Sequence, residues 1–144
     1  MEGNGPPLFC LLLKNTWQKL SRYYNQRLAA YDLSVPKALL LLGIAPDSGK
    51  NPRSLAKELD LENSSMTGLV DRLVKQGLVE RHPDPNDRRG VLIFLTPRGI
   101  TAREGIKALV EELDRKIQEV ISTEDIKTFR RIMAVISKQI DNSR

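Results

Sequence analysis

Two clusters in this chain have side chains suited to recognising another molecule. From Asn63 to Arg72 the residues on one side of a predicted helix are Asn63, Ser64, Ser65, Thr67, Gly68, Asp71 and Arg72. Further on, Arg88 and Arg89 stand side by side in a loop that also holds Asp84, Asn86 and Asp87 and is turned by Pro83, Pro85 and Gly90. The chemistry on offer is non-covalent. Short hydroxyl and amide groups on a helix can enter a major groove and bond to base edges or phosphates. Paired arginines at a hairpin tip can reach a minor groove, where narrow A·T tracts concentrate negative potential. Asp87 beside those arginines works against a polyanion unless it shapes the loop, so it is expected to pair with one arginine and brace the hairpin.

Catalysis finds no comparable set of residues. The chain has no nucleophile elbow, no phosphate-cradling glycine loop and no credible acid–base pair, and it reads as a non-enzyme. One Cys and one His cannot build a zinc cluster or an internal disulfide, and no motif calls for a cofactor. His82 reads as a strand residue at the base of the hairpin.

The bulk numbers set the frame. The 144 residues suffice for one ordinary domain with its own core, and 40% hydrophobic with 28% charged residues describe a folded, soluble chain. The apolar run Leu8–Leu13 is broken by Lys14 and lacks a basic lead-in, so neither a signal peptide nor a membrane span is expected, and the cytoplasm is the expected location. The net charge of +5 suits a polyanionic partner. Its distribution does not single out the two clusters: residues 53–100 hold eight Lys/Arg against seven Asp/Glu, a net of +1. Any electrostatic grip must come from where the cations point.

The elements that must position these groups can be read in order. Met1–Pro7, with two Gly and two Pro, is expected to be a loose arm. Leu13, Trp17, Leu20, Tyr24, Leu28 and Tyr31 recur at helical spacing and predict a long amphipathic helix over about 8–31. Ser34 is expected to cap a second, buried helix through Leu39–Leu42. A loop with a brief strand near Asn51–Arg53 follows, then a short helix over 54–60 with Leu55, Ala56 and Leu59 inward. After a turn, with Asn63 or Ser64 as cap, a helix runs over 63–76 with Met66, Leu69, Val70 and Leu73 inward, and Gly77 ends it. Strands are expected at 78–82 and 91–95. Thr96 and Pro97 open a helix to about Ile121, with Glu111/Arg115 and Glu112/Lys116 as i,i+4 pairs. Ser122 to Asp125 begins a last helix. The fold class is mainly α with a small β wing: a winged helix-turn-helix between N- and C-terminal helices.

At SLAKEL, MTGLVDRLVKQGLVER and DPNDRRGVLIFLTPRG the chain resembles the multiple-antibiotic-resistance regulator (MarR) family, and the resemblance spans nearly its whole length. The Asp87-Arg88-Arg89 run followed by Leu95-Thr96-Pro97-Arg98-Gly99 matches the family's wing signature. The resemblance implies a homodimeric, ligand-responsive repressor of transcription on double-stranded DNA. Residues 8–32 and 100–144 would be interlocking dimerisation helices, and 33–99 the DNA-binding lobe, all in one domain. It places Ser64, Ser65 and Thr67 where members contact DNA, Arg89 at the wing tip and Asp87 at the bracing aspartate. Many members carry Arg where this chain has Gly68, so operator preference does not transfer.

Two signals are open to such a protein. One is a small aromatic or amphipathic effector in a cleft near Trp17, Tyr24, Tyr31 and Leu39. The other is oxidation of Cys10, whose position resembles the reactive cysteine of the hydroperoxide-sensing branch. Tyr24 matches that branch, whereas Lys14 and Val35 replace its two other tyrosines. A third reading keeps the winged helix as a protein-interaction module without DNA readout.

Overall fold

The computed structural model describes residues 8–144, so the expected arm at 1–7 lies outside the described residues. Two compact units appear, one reaching to Lys107 and one from Ala108 onward. Six helices and one hairpin follow in order: α1 Phe9–Leu28, α2 Val35–Leu42, α3 Pro52–Glu58, α4 Asn63–Lys75, β1 Val79–Asp84, β2 Asp87–Leu95, α5 Pro97–Gln118 and α6 Thr123–Asn142.

The first unit is built on one core. Leu40, Leu41, Ile44, Leu55, Met66, Leu73, Ile93 and Ile106 are almost wholly removed from water. Each such side chain contributes about 1.5–3 kcal/mol on leaving water. The inward set expected of α4 is the one observed, Met66, Leu69, Val70 and Leu73. In α3, Leu55 and Ala56 are buried, and Leu59, just beyond its last turn, is half-buried. The second helix is less buried than its composition suggests, because Leu39 faces out while Ala38, Leu40 and Leu41 face in.

Several local expectations are corrected. The first helix tightens into a 3-10 turn at Ala29–Tyr31, and Asp32 takes a left-handed conformation that ends it. Ser34 occupies the cap position of α2 but its side chain makes no cap bond. Asn25 of α1 does this instead, its Oδ1 accepting from the Val35 amide at 3.1 Å. The expected strand at Asn51–Arg53 is reduced to a single bridge between Lys50 and Ile93. Asn51 is the cap of α3, with Oδ1 accepting from the amides of Arg53 (2.8 Å) and Ser54 (3.3 Å), and so that helix starts two residues earlier than expected. The helix α5 ends at Gln118, three residues before Ile121. On it Lys116 pairs with Glu112 at 3.3 Å as expected, whereas Arg115 reaches forward to Glu119 at 3.5 Å.

The end of α4 and the start of α5 lock together. Gly77, at φ +72°, lets the Leu78 amide bond back to the Leu73 carbonyl at 3.0 Å, which closes the helix. Thr96 Oγ1 donates to the Gly77 carbonyl at 2.6 Å and accepts from the Gly99 amide at 3.0 Å. The hairpin between these two anchors is therefore held at its base.

In the second unit, α6 begins with a reciprocal cap: Ser122 Oγ accepts from the Asp125 amide, and Asp125 Oδ2 accepts from the Ser122 amide. These bonds hold the Asp125 carboxyl below its ordinary pKa, the bond from the Ser122 backbone contributing most. No residue of α6 is buried. Phe129 is 62% exposed, and Ile132, Val135 and Ile140 are also largely uncovered. An amphipathic helix whose apolar side meets water is an unfinished packing surface.

Candidate nucleic-acid interface

The turn before α4 is set by Asp60, which takes φ +52° and allows the Leu61 amide to bond to the Ala56 carbonyl at 2.8 Å. Glu62 stands at the cap position with no side-chain cap bond, so the expected cap from Asn63 or Ser64 is not formed. Both of those side chains lie inside the helix's first turn and cannot fold back to its leading amides. The first turn of α4 thus presents backbone N–H groups that the helix itself does not use. Such a terminus attracts anions through these donors and through its dipole.

The outer face of α4 holds Asn63, Ser64, Ser65, Thr67, Asp71 and Arg72, all exposed. Thr67 Oγ1 donates to the Asn63 carbonyl at 3.0 Å. Its proton is therefore committed, and its remaining capacity is to accept. Nothing lies within 4 Å of the point where a Cβ would stand at Gly68, so this turn of the face is open. Asp71 is ion-paired with Arg81 of β1.

The wing departs from its expected form. What reads as a loop from Pro83 to Gly90 is nearly all strand, and only Pro85 and Asn86 form the turn. Proline is tolerated at Pro83 because a two-stranded hairpin has only edge strands. The register runs evenly from Val79↔Leu95 to Pro83↔Val91, then jumps to Asp84↔Asp87. Arg88, Arg89 and Gly90 are the surplus residues on β2, bulged outward without partners on β1. Asp87 braces this bulge differently from expectation: its Oδ1 accepts from the Arg89 backbone amide at 3.0 Å and pairs with neither guanidinium. Among the described residues, both guanidinium groups lack an acidic partner. A Cβ at Gly90 would stand 3.1 Å from the Cβ atoms of Asp84 and Asp87, so a larger residue there would require its neighbours to give by a few tenths of an ångström.

A concavity of about 590 Å³ lies where α3, α4 and the wing meet, and its polar walls include Asn51, Arg53, Asn63, Thr67, Asp87 and Arg89. The structure thus brings Asn63, Thr67, Asp87 and Arg89 around one hollow. Ser64, Ser65, Arg72 and Arg88 are exposed nearby but do not line it. Arg53 is the cation that sequence reasoning missed. Its signal was the Asn51-Pro52 pair, a cap followed by a first-turn proline, which puts Arg53 in the opening turn of α3.

The residues assigned to an effector cleft are placed as follows. Trp17, half exposed, lines a groove of about 620 Å³ with Lys14, Ser21 and Asn25 on α1. Tyr31 lines a different groove of about 580 Å³ with Leu78, Arg98 and Ala102, and its hydroxyl occupies the space where a Cβ at Gly105 would stand. Tyr24 meets Tyr23 edge-on at 5.3 Å, and Leu39 is exposed on α2. Cys10 is a free, exposed thiol in the first turn of α1. His82 is a strand residue, as expected, but it lies opposite Leu92 in the outer half of β1 and not at the wing's base; it meets Phe94 edge-on at 5.2 Å and lies 3.0 Å from Glu80.

Short helix, turn, second helix and hairpin, in that order and anchored to one core, define a winged helix-turn-helix protein. The MarR family profile matches residues 33–91. The multiple antibiotic resistance protein MarR of Escherichia coli is 32% identical over 117 residues, 81% of each chain. The chain belongs to the MarR family. A cysteine-to-serine mutant of that Escherichia coli protein, complexed with operator DNA, superposes with a TM-score of 0.78 at 29% identity, covering 91% of this chain and 99% of the other. CouR of Rhodococcus jostii, bound to p-coumaroyl-CoA, superposes at 0.74 with 31% identity over 87% of this chain and 88% of its own. Among the described residues, no helix is long and apolar enough to cross a membrane.

Proposed function

We propose that this protein is a homodimeric transcriptional repressor that reads a pseudo-palindromic DNA site and is released by a small aromatic or amphipathic effector. The helix α4 enters a major groove, where Asn63, Ser64, Ser65 and Arg72 contact bases and phosphates. Thr67, with its proton committed to Asn63, accepts from a base amino group. The uncapped amides at the start of α4 hold a phosphate. Arg88 and Arg89 enter the flanking minor groove, with Asp87 fixing the backbone that carries them. Residues 8–32 and 100–144 pair two copies, their apolar faces covering one another, and residues 33–99 form the lobe each copy presents. Such a protein is a binding device and not an enzyme, and it works in the cytoplasm beside its DNA.

One observation carries the reading: Thr67 of the recognition helix and Arg89 of the wing face the same concavity, on a fold shared with a relative complexed with operator DNA. The effector rests on the likeness to CouR, whose structure holds an aromatic acyl thioester. The test is selection of bound duplexes from a random-sequence library by the purified protein, followed by binding of Arg89→Ala across a salt series. Enrichment of a two-fold-related site is expected, with Arg89→Ala at least tenfold weaker and its salt slope reduced by about one. Equal binding by wild type and variant at every salt concentration would defeat this docking geometry.

A further inference from the structure

The Asp71–Arg81 pair has no evident task in the fold. Its side chains are 51% and 38% exposed, and an ion pair that wet contributes about 0–1 kcal/mol to folding. Its position is more informative. Asn63, Thr67 and Asp71 follow one another at steps of four along α4 and so share one stripe of the helix. Asp71 therefore lies one turn beyond Thr67 on the face that meets DNA. A bare carboxylate there would repel phosphates, and the repulsion would grow as the duplex displaced water and lowered the local dielectric. Arg81, opposite Ile93 in the wing register, is the group that meets this charge.

We propose that Arg81 is a positioning residue for DNA binding. It neutralises Asp71 on the recognition face, so that no bare carboxylate meets the duplex. The inference rests on the DNA-binding reading above. It differs from a direct-contact role in one respect: Arg81 is needed only while Asp71 carries its charge.

Arg81→Gln, Asp71→Asn and the double variant test this, using a duplex recovered by selection with the wild-type protein and titrated at several salt concentrations. Thermal melting should show all three folded like the wild type. Arg81→Gln should bind about tenfold more weakly. Asp71→Asn frees Arg81 for a phosphate, so it should bind at least as tightly as wild type, with a salt slope steeper by about one. The double variant should recover to within about threefold of wild type. A double variant as weak as Arg81→Gln would mean that Arg81 itself contacts DNA, and an Arg81→Gln protein that binds normally would mean that the pair is idle. Either result overturns the proposal while leaving the DNA reading intact. Failure of the wild type to enrich any duplex would overturn both.

Discussion

Gly99 rests directly on the carbonyl of Leu78: a Cβ built at Gly99 would stand 1.9 Å from that oxygen. The same Leu78 oxygen accepts from the Thr96 amide at 3.1 Å, so it cannot move aside without undoing the start of α5. Gly99→Ala should therefore destabilise the protein by about 3 kcal/mol, read as a lowered denaturant midpoint. A midpoint within error of the wild type would show that the junction yields more easily than its geometry suggests.

Asp87 works through the backbone of the wing. With Asp87→Ala the Arg89 amide loses its acceptor and the bulge loses its brace. Duplex binding should weaken severalfold through faster dissociation, while the melting temperature stays near that of wild type because the residue is exposed. Asp87→Asn keeps an acceptor at the same place and should retain most of the affinity. If the asparagine variant binds as weakly as the alanine variant, the charge matters and the hydrogen bond does not.

Gly68 offers the opposite kind of change. It lies mid-helix with open space where a Cβ would go. Gly68→Ala should stabilise the fold by about 1 kcal/mol, from helix propensity and a less flexible unfolded chain. Urea unfolding measures this, and a loss of stability would reveal a close neighbour absent from this arrangement.

These three sites also show what the sequence could and could not convey. Helix and strand order, the inward residues of α4, and the Thr96-Pro97 start were all legible, because periodicity and end signals are local. Gly99 was quoted as part of a motif, but its reason, the approach of another segment's carbonyl, is not local and left no trace in spacing. Asn25 capping α2 was hidden in the same way, since the bond spans ten residues. The wing was read as a loop because Pro83, Pro85 and Gly90 are turn formers. A two-stranded hairpin has room for proline, and the surplus residues were absorbed as a bulge. Asp87 was expected to pair with an arginine side chain and instead accepts from the Arg89 backbone amide, because an acid beside two arginines suggests a salt bridge more readily than a bond to the main chain. Asp71 was legible as part of the outer face of α4, but only the folded hairpin could bring Arg81 to it.

Phe129 reports on assembly. It is 62% exposed on a helix without a buried residue, which a second copy would cover. Phe129→Asp should shift the protein from dimer to monomer in sedimentation and abolish tight binding to a two-site duplex, since each lobe alone holds DNA weakly. A variant that sediments as a dimer would move the contact away from α6.

Asp125 gives stability an acid limit. Its folded pKa is depressed by the bonds with Ser122. Its contribution is therefore complete above the unfolded carboxylate value, falls as pH drops through that range, and is gone below the depressed folded value. Melting temperatures of wild type and Asp125→Asn should differ at neutral pH and converge in acid. A constant difference would place the effect elsewhere than in the ionised cap.

The uncovered apolar side of α6 also bears on how long such a protein lasts in a cell. A newly made chain that has not met its mate carries this surface in the open, and proteases act on segments that open readily. A second copy covering this stretch would protect it, so survival would rise with abundance. Below the concentration at which chains find one another, unpaired copies would keep this side of α6 open to proteolysis, so one helix would set how many idle halves persist.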